Sequence, residues 1–202
     1  MIAIIDYGVG NLFSLKSSLA YLGLDAVVTA DPAVIRASDR IILPGVGAFA
    51  DARAKLDATG LVPLLKEEAA SGKPFLGICL GMQMLFDKSL EYGEHEGLGL
   101  IPGIVAPITD DLTTPLKVPH MGWNALHFNR EDPLFKYIKE GDCVYYVHSY
   151  YAKDCAADTI ATSEYGVTIT GAVGKGKIYG TQFHPEKSGE VGLAILRAFA
   201  EL

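Results

Sequence analysis

The sequence predicts an α/β fold with a mostly parallel central sheet flanked by helices and an antiparallel extension in the second half. In the first half, short apolar runs alternate with stretches of helical periodicity, which is typical of parallel strands joined by right-handed crossovers. In the second half, short strand-like segments follow one another with turns between them, which favours antiparallel pairing. A length of 202 residues, half of them hydrophobic and a fifth charged, suits one domain spanning residues 1–202.

The first half alternates between segments of strand length and segments of helix length. Leucines at helical spacing, among them Leu12, Leu15 and Leu19, predict the first helix. In chain order we expect a strand at 2–6, a helix at 11–22, a strand at 26–29, a short helix after Asp31-Pro32, a strand at 40–43, one or two helices within 49–71, a strand before Cys79 and a helix at 80–88. Functional sites of such folds lie where the carboxyl ends of parallel strands meet.

From Glu91 onward the pattern changes to short extended segments. We expect a loop at 91–99, strands at 103–108, 123–128, 143–151, 159–165, 167–173 and 177–182, and a final amphipathic helix at 189–202. The N-terminus enters an apolar run without a preceding basic region, so we expect a first strand there and not a signal peptide. No apolar stretch approaches the roughly 18 residues of a membrane span.

Composition narrows the classes of function. A net charge of −7 without any basic run makes nucleic acid an improbable partner, because phosphate binding needs a concentrated basic surface. Three cysteines without framework spacing favour a reduced, cytoplasmic protein. No C-x-x-C or H-x-x-x-H pair indicates a metal site. The glycine turn at 6–11 lacks the third glycine and the downstream acid of a dinucleotide fingerprint, so we expect no cofactor.

Cys79 is the candidate nucleophile. It lies in a G-x-C-x-G segment between an apolar strand and a helical pattern, and glycines at 77 and 81 leave room for a strained turn that exposes the side chain. The start of a helix favours the thiolate form, and the backbone N–H of Leu80 is placed as an oxyanion donor. The alternative is that Cys79 is a small buried hydrophobic residue between packing glycines.

His184 and Glu186 are the candidate partners of this thiol. Residues two apart on an extended backbone project to the same side, and Pro185 holds the segment extended. A carboxylate sets the tautomer of the imidazole, and the imidazole activates the thiol. The H-P-E tripeptide could instead be a surface turn.

The Pro44-Gly45-Val46-Gly47 loop follows the third predicted strand. Its glycines allow backbone N–H groups to face a neighbouring site, so Val46 and Gly47 are candidates for the second oxyanion donor. A tight turn without a catalytic role remains the alternative.

These segments together resemble the class I glutamine amidotransferases, through the stretch 77–83 and the Phe183-His184-Pro185-Glu186 tetrapeptide. Within that family, five further stretches resemble the glutaminase subunits of imidazole glycerol phosphate synthase. They are DYGVGNL at 6–12, PGVGAF at 44–49, PHMGWN at 119–124, VHSY at 147–150 and the residues 182–188. The likeness extends from the first strand to the last helix.

The resemblance implies hydrolysis of glutamine to glutamate and ammonia, with the ammonia passed to a separate (β/α)8-barrel synthase subunit in an expected one-to-one heterodimer. That subunit would form imidazole glycerol phosphate and aminoimidazole carboxamide ribotide in histidine biosynthesis. By matching motifs, Cys79 is the nucleophile, His184 the acid and base, and Glu186 its orienting carboxylate. The implied glutamine contacts are Gln83, Glu91, His148, Ser149 and Tyr150. The implied partner-facing residues are Asn11, Trp123, Tyr145 and Lys187.

Other functions remain compatible with the same motifs. Within the amidotransferases, the nearest alternative is the glutaminase of pyridoxal phosphate synthesis, which would copurify with its own synthase and not with a histidine-pathway barrel. A cysteine peptidase or a thiol-redox sensor could use the same elbow. Release of ammonia from free glutamine distinguishes a glutaminase from a cysteine peptidase and from a thiol-redox sensor.

Overall fold

The computed structural model describes residues 1–202 and contains six α-helices and fourteen strands. The helices are α1 (Leu12–Tyr21), α2 (Pro32–Ala37), α3 (Phe49–Ala58), α4 (Val62–Ala70), α5 (Leu80–Gln83) and α6 (Gly189–Ala200). The strands are β1 (Ile2–Ile5), β2 (Ala26–Thr29), β3 (Arg40–Leu43), β4 (Phe75–Ile78), β5 (Lys88–Ser89), β6 (His95–Glu96), β7 (Ile104–Pro107), β8 (His120–Ala125), β9 (His127–Phe128), β10 (Cys143–His148), β11 (Tyr150–Lys153), β12 (Thr159–Glu164), β13 (Thr168–Lys175) and β14 (Ile178–Thr181).

The central sheet has eight strands in the order β2-β1-β3-β4-β14-β13-β12-β9. Strands β2, β1, β3, β4 and β14 pair in parallel. Strands β13, β12 and β9 continue the sheet with antiparallel pairing. The predicted α/β fold with an antiparallel extension is confirmed, except that β14, which the sequence assigned to the extension, pairs in parallel with β4.

Strands β1 and β4 in the middle of the sheet are buried along their whole length, which explains their continuous apolar sequences. Ala3 and Ile5 of β1 face a core of 25 buried residues that also includes the apolar sides of α2, α3 and α4. Ile2 and Ile4 face a second core of 24 buried residues, to which α1 and α6 contribute. The sheet therefore lies between two hydrophobic layers and forms a rigid base for the loops at its edge.

Two smaller sheets lie beside the central one. Strand β10 pairs with β8, and β11 belongs to a four-stranded sheet of order β11-β7-β5-β6. The prediction of one strand over 143–151 was therefore wrong. The chain changes sheet at Ser149, whose carbonyl accepts the Ile108 N–H at 3.0 Å. The predicted loop at 91–99 likewise contains a short strand, β6, paired with β5.

The predicted helix at 80–88 was also wrong in extent, since α5 ends at Gln83. The Met84 carbonyl, which in a helix reaching residue 88 would accept the Lys88 N–H, instead accepts the Leu98 N–H at 2.7 Å. After it, the chain becomes extended and β5 pairs with β7. The pairing of a distant segment thus ends a helix that the local pattern would continue. None of the helices combines the length and apolar character that a membrane crossing requires.

Three glycines allow the strand ends that carry the candidate site to approach each other closely. A Cβ at Gly81 would lie 1.9 Å from the Leu43 carbonyl oxygen, and one at Gly77 would lie 2.6 Å from the Gly81 carbonyl oxygen. At Gly45, a Cβ would lie 2.7 Å from the Gly81 nitrogen. Backbone therefore packs directly against backbone where β3 and β4 end.

We expect Gly81→Ala to lower the free energy of unfolding by at least about 3 kcal/mol, because its Cβ meets backbone that cannot move aside without separating β3 from α5. Chemical denaturation measures the change. The matched control is Gly60→Ala, where φ is +69° and no atom lies within 4 Å of the added Cβ. Gly60→Ala should lose only about 1 kcal/mol of unfolding free energy, because alanine is disfavoured in the left-handed backbone conformation. Equal losses in the two variants would contradict the packing argument.

Candidate active site

A cavity of about 520 Å³ opens at the carboxyl ends of the parallel strands. Its walls include the loop after β3, the elbow after β4 and the segment after β14. This is the edge at which the sequence predicted a site, and the volume lies within the roughly 300–1,000 Å³ usual for small-molecule sites. The cavity wall includes Cys79 and His184 from the predicted trio, while Glu186 lies behind the imidazole.

Cys79 occupies a strained turn between β4 and α5. Its φ of 53° and ψ of −111° lie outside the regions that L-residues favour, and its N–H donates to the Thr181 carbonyl at 2.7 Å. The residue is 7 % exposed, with its side chain at the cavity wall. The predicted nucleophile elbow is therefore present, although α5 has a single turn.

The imidazole of His184 is held by Glu186. His184 Nδ1 lies 2.8 Å from Glu186 Oε1, and the two side chains are 2 % and 4 % exposed. Burial lowers the pKa of His184, but contact with Cys79 and the bond to Glu186 outweigh it and raise the pKa to about 10. Nε2 makes no hydrogen bond of good geometry in the resting chain. With Nδ1 donating to the carboxylate, Nε2 is the nitrogen available to the thiol.

Strand β10 holds the His184 segment through backbone atoms. The His184 N–H donates to the Tyr145 carbonyl at 3.0 Å. The Tyr145 N–H donates to Ser188 Oγ at 2.9 Å, and that hydroxyl donates to the His184 carbonyl at 2.6 Å. The sequence offered no sign of this role for Ser188 beyond its place in a motif stretch.

Gln182 was not among the predicted site residues, yet it contacts the sulfur. Its Nε2 lies 3.8 Å from Cys79 Sγ, and its Oε1 accepts from Gln83 Nε2 at 3.1 Å. Gln83 Nε2 also donates to the Tyr150 carbonyl at 3.0 Å. A polar residue that follows a buried strand directly is the signal that could have identified Gln182.

The predicted oxyanion donors surround the thiol. Val46, Gly47 and Leu80 all line the cavity. The N–H groups of residues 45–47 donate to no acceptor within the chain, so they are available to a ligand. Tyr7, which the sequence did not single out, holds this loop by donating its hydroxyl to the Pro44 carbonyl at 2.6 Å.

Glu91 lies at the cavity wall and also caps a helix. Its Oε2 accepts the Phe49 N–H at 2.7 Å. That N–H belongs to the first turn of α3, and the N-cap residue Ala48 has no side-chain oxygen to satisfy it. Oε1 makes no hydrogen bond within the chain, so one carboxylate oxygen remains for a ligand.

His148, Ser149 and Tyr150, which the resemblance implied as substrate contacts, line the same cavity as the elbow. Their backbone is fixed from two sides. His148 Nδ1 lies 2.8 Å from the Tyr150 carbonyl, and the Ser149 carbonyl is bonded to Ile108. Tyr92, absent from the predicted set, adds an exposed ring whose centroid lies 6.3 Å from that of Tyr150.

The four residues predicted to face a partner differ in position. Trp123 is 56 % exposed, and its ring centroid lies 5.9 Å from that of Tyr145, its cross-strand neighbour. Lys187 is exposed and lines the cavity. Asn11 is half-buried at the start of α1. Trp123 and Tyr145 thus form one aromatic surface close to the strand that holds His184.

A parallel α/β sheet with a thiol at a strand–helix elbow and an imidazole–carboxylate pair beside it is the arrangement of cysteine-nucleophile enzymes. The sequence model described as glutamine amidotransferase class-I matches residues 3–201. The chain belongs to the class I glutamine amidotransferase family.

Similar proteins of known name are close in sequence over nearly the whole chain. "Imidazole glycerol phosphate synthase subunit HisH" of Bacillus cytotoxicus is 52 % identical over 200 residues, covering 98 % of this chain and 93 % of that protein. The protein of the same name from Lacticaseibacillus casei is 50 % identical, covering 100 % and 96 %. A solved glutamine amidotransferase shares the fold with a TM-score of 0.77 at 17 % identity, covering 100 % of this chain and 98 % of that chain.

We expect the protonated imidazole of His184 to stabilise the fold over a defined pH range. Its pKa in the folded chain, about 10, lies above the ordinary value of 6.5. The stabilisation is therefore complete below about pH 6.5 and lost as the pH rises through about 10. The free energy of unfolding, relative to His184→Gln, should decrease by on the order of 1–3 kcal/mol across this range.

Chemical denaturation of the two proteins at a series of pH values measures this difference. The same pair made in a Cys79→Ala background is the control, and there the decrease should be smaller because the thiol no longer contributes to the raised pKa of His184. If the difference in unfolding free energy between the parent and His184→Gln does not vary with pH, His184 does not have the raised pKa in the folded chain.

Proposed function

We propose that this protein hydrolyses glutamine to glutamate and ammonia, and that a (β/α)8-barrel synthase subunit uses the ammonia to form imidazole glycerol phosphate and aminoimidazole carboxamide ribotide in histidine biosynthesis. Membership of the glutamine amidotransferase family supports the glutaminase reaction. Relatives about half identical and named as a subunit of imidazole glycerol phosphate synthase support the pathway. The observation that carries the proposal is the buried Cys79, His184 and Glu186 constellation at the wall of a cavity of about 520 Å³.

In the proposed reaction, the Cys79 thiolate attacks the side-chain amide carbon of glutamine. A carbon–sulfur bond forms and the carbonyl becomes an oxyanion. The carbon–nitrogen bond then breaks as His184 gives its Nε2 proton to the leaving nitrogen, which yields ammonia and a glutamyl thioester. His184 next takes a proton from water, the hydroxide attacks the thioester, and the carbon–sulfur bond breaks to release glutamate and restore the Cys79 thiolate beside the protonated imidazole. Glu186 keeps the imidazole oriented throughout.

The negative charge of both tetrahedral intermediates would be stabilised by backbone N–H groups of Val46, Gly47 and Leu80. The groups at 46 and 47 lack acceptors in the resting chain, which supports this role. Removal of one such donor typically costs about 3 kcal/mol of transition-state stabilisation. The loop after β3 is therefore as necessary to the proposed reaction as the thiol.

Glutamine would lie between the elbow and the strand crossing at 148–150. The free Oε1 of Glu91 is suited to its α-amino group, since a buried carboxylate favours an ammonium partner. Gln83 and the backbone of His148, Ser149 and Tyr150 would complete the site. No group of three or more acidic, histidine or cysteine side chains is placed to hold a metal ion, and the proposed chemistry needs none.

The synthase subunit is proposed to bind over the aromatic surface of Trp123 and Tyr145, with Asn11 and Lys187 as further contacts, in a one-to-one heterodimer. We propose a cytoplasmic location and no nucleic-acid partner, supported by three free cysteines and a net charge of −7. The alternatives are a glutaminase of pyridoxal phosphate synthesis and a cysteine peptidase. Reconstitution with each synthase, and an assay for ammonia from free glutamine, separate the three.

We expect Cys79→Ala to abolish glutamine-dependent synthesis while the complex still works with ammonium salt, because only the thiol can form the thioester. Glutamate release and product formation are measured with each nitrogen source. His184→Ala should be nearly as severe, and Glu186→Gln milder, because Glu186 orients the imidazole without transferring protons. Cys155→Ala is the matched control, because Cys155 is also a buried free cysteine but does not line the cavity. Near-normal glutamine-dependent turnover in Cys79→Ala would overturn the nucleophile assignment.

We expect Trp123→Ala to weaken association with the synthase subunit by about 2 kcal/mol or more, roughly thirtyfold in Kd, because exposed aromatics at interfaces contribute disproportionately to affinity. Calorimetric titration measures the affinity, and circular dichroism verifies the fold. Tyr137→Ala is the control, since Tyr137 is 39 % exposed and its ring packs against Lys136 and Arg197 on another part of the surface. Unchanged affinity with an intact fold would remove Trp123 from the interface.

A further inference from the structure

Two buried histidines whose side chains have no role in the proposed reaction form a chain of hydrogen bonds that begins at the cavity wall. His148 Nδ1 lies 2.8 Å from the Tyr150 carbonyl oxygen, and His148 Nε2 lies 3.0 Å from His120 Nδ1. His120 Nε2 lies 2.7 Å from the side-chain amide of Asn124. These hydrogen bonds thus connect half-buried Asn124 on β8, next to Trp123, to the Tyr150 carbonyl at the cavity wall.

Both rings are held where a charge would be unfavourable. His120 is fully buried, and it stacks between the rings of Tyr146 and Tyr165 at centroid distances of 4.8 and 4.0 Å. Burial lowers the pKa of His120, and it lowers the pKa of His148 to about 3. Near neutral pH the two rings are therefore neutral, and each carries one proton.

The number of protons available determines which atom donates in each of the three hydrogen bonds. Three contacts need three protons, and two neutral rings supply two. One end of the chain, the Tyr150 carbonyl, can only accept. The third proton must therefore come from Asn124, whose Nδ2 can donate to His120 Nε2 if the amide is turned so that Oδ1 faces outward. In the structure Oδ1 faces His120 and Nδ2 donates to the Glu164 carbonyl at 2.9 Å; turning the amide gives up this exposed bond, whose groups water can solvate.

With the amide turned, each contact of the two imidazole rings has one donor and one acceptor. Asn124 donates to His120 Nε2, His120 Nδ1 donates to His148 Nε2, and His148 Nδ1 donates to the Tyr150 carbonyl. The opposite order would leave two lone pairs facing each other at 2.8 Å between the buried His148 ring and the Tyr150 carbonyl, whereas turning the amide leaves its unpaired acceptors at the exposed contact with Glu164. Both histidines are thus Nδ1–H tautomers.

This order of protons connects to the proposed substrate contacts. The Tyr150 carbonyl has two lone pairs, and it accepts from His148 Nδ1 and from Gln83 Nε2. Gln83 also bonds to Gln182, which contacts the Cys79 sulfur. The hydrogen bonds of the two histidines therefore lead to Tyr150 and Gln83, which are proposed to contact glutamine, and not to the His184 imidazole, which is proposed to transfer protons.

We propose that His120 is a positioning residue for glutamine binding, acting through His148 and the Tyr150 carbonyl, and that Asn124 sets its tautomer. The proposal rests on the glutaminase function above for its kinetic consequence, but the tautomers are a property of the isolated chain. A positioning role predicts a change in KM for glutamine and a smaller change in kcat, because the triad is untouched.

The first test is heteronuclear NMR of the full chain with 15N-labelled imidazoles near pH 7, which reports the protonated nitrogen of each ring. The expected result is an Nδ1–H tautomer for both His120 and His148. An Nε2–H tautomer in either ring would overturn the proposal. This measurement needs no variant, so it is decisive even if a substituted chain does not fold, and it is independent of any assay of glutamine hydrolysis.

The second test compares two substitutions of His120 in the complex with the synthase subunit. His120→Leu removes the donor to His148 and should raise KM for glutamine about five- to tenfold. His120→Asn can still donate from the Nδ1 position and should keep KM within about twofold. Ammonium-dependent synthesis should be unchanged in both, and thermal melting verifies the folds. Equal KM values for the two variants would overturn the positioning role, whereas a parent complex without glutaminase activity would refute the proposed function alone.

Discussion

The close approach of backbone to backbone at Gly81 is the constraint on which the rest of the site depends. With no Cβ at this position, the Leu43 carbonyl of β3 can lie against the first turn of α5. That contact brings the loop after β3 beside the strained Cys79, whose φ is 53°. The loop that carries the proposed oxyanion donors and the candidate nucleophile therefore lie side by side because position 81 has no side chain. Two hydrophobic layers on either side of the sheet hold these strand ends rigid.

Much of the first half could be predicted because its signals are local. Strands β2 and β3 have the predicted bounds, and the elbow around Cys79 was identified from five residues. The errors arose where distant segments decide the structure. Alternating residues over 143–151 indicate an extended chain but not which sheet each part joins. The helical pattern after Leu80 is interrupted because residues near 98 take the carbonyls that would continue it.

The candidate site shows the same division. Every predicted oxyanion and substrate-contact residue lines the cavity; the oxyanion candidates were predicted from the glycine loop and the elbow, and the substrate contacts from the family resemblance. Gln182, Tyr7 and Ser188 were not predicted, because each acts on a residue remote in sequence: a sulfur, a loop carbonyl and a strand amide. Their side chains are ordinary, and only the folded arrangement gives them a function. Local pattern thus identifies reacting groups more readily than the groups that hold them.

The attachment of the His184 segment to β10 has a consequence for how this protein can diverge. His184 is bonded to the Tyr145 carbonyl, and the Tyr145 N–H is bonded to Ser188. Because Tyr145 contributes only main-chain atoms, exchange of its side chain leaves both bonds in place. The outward-facing side chains of β10 can therefore be substituted to suit a different binding partner without loss of these bonds. An insertion or deletion would shift the register of β10 and misplace the imidazole, so this strand can tolerate drift in composition but not in length.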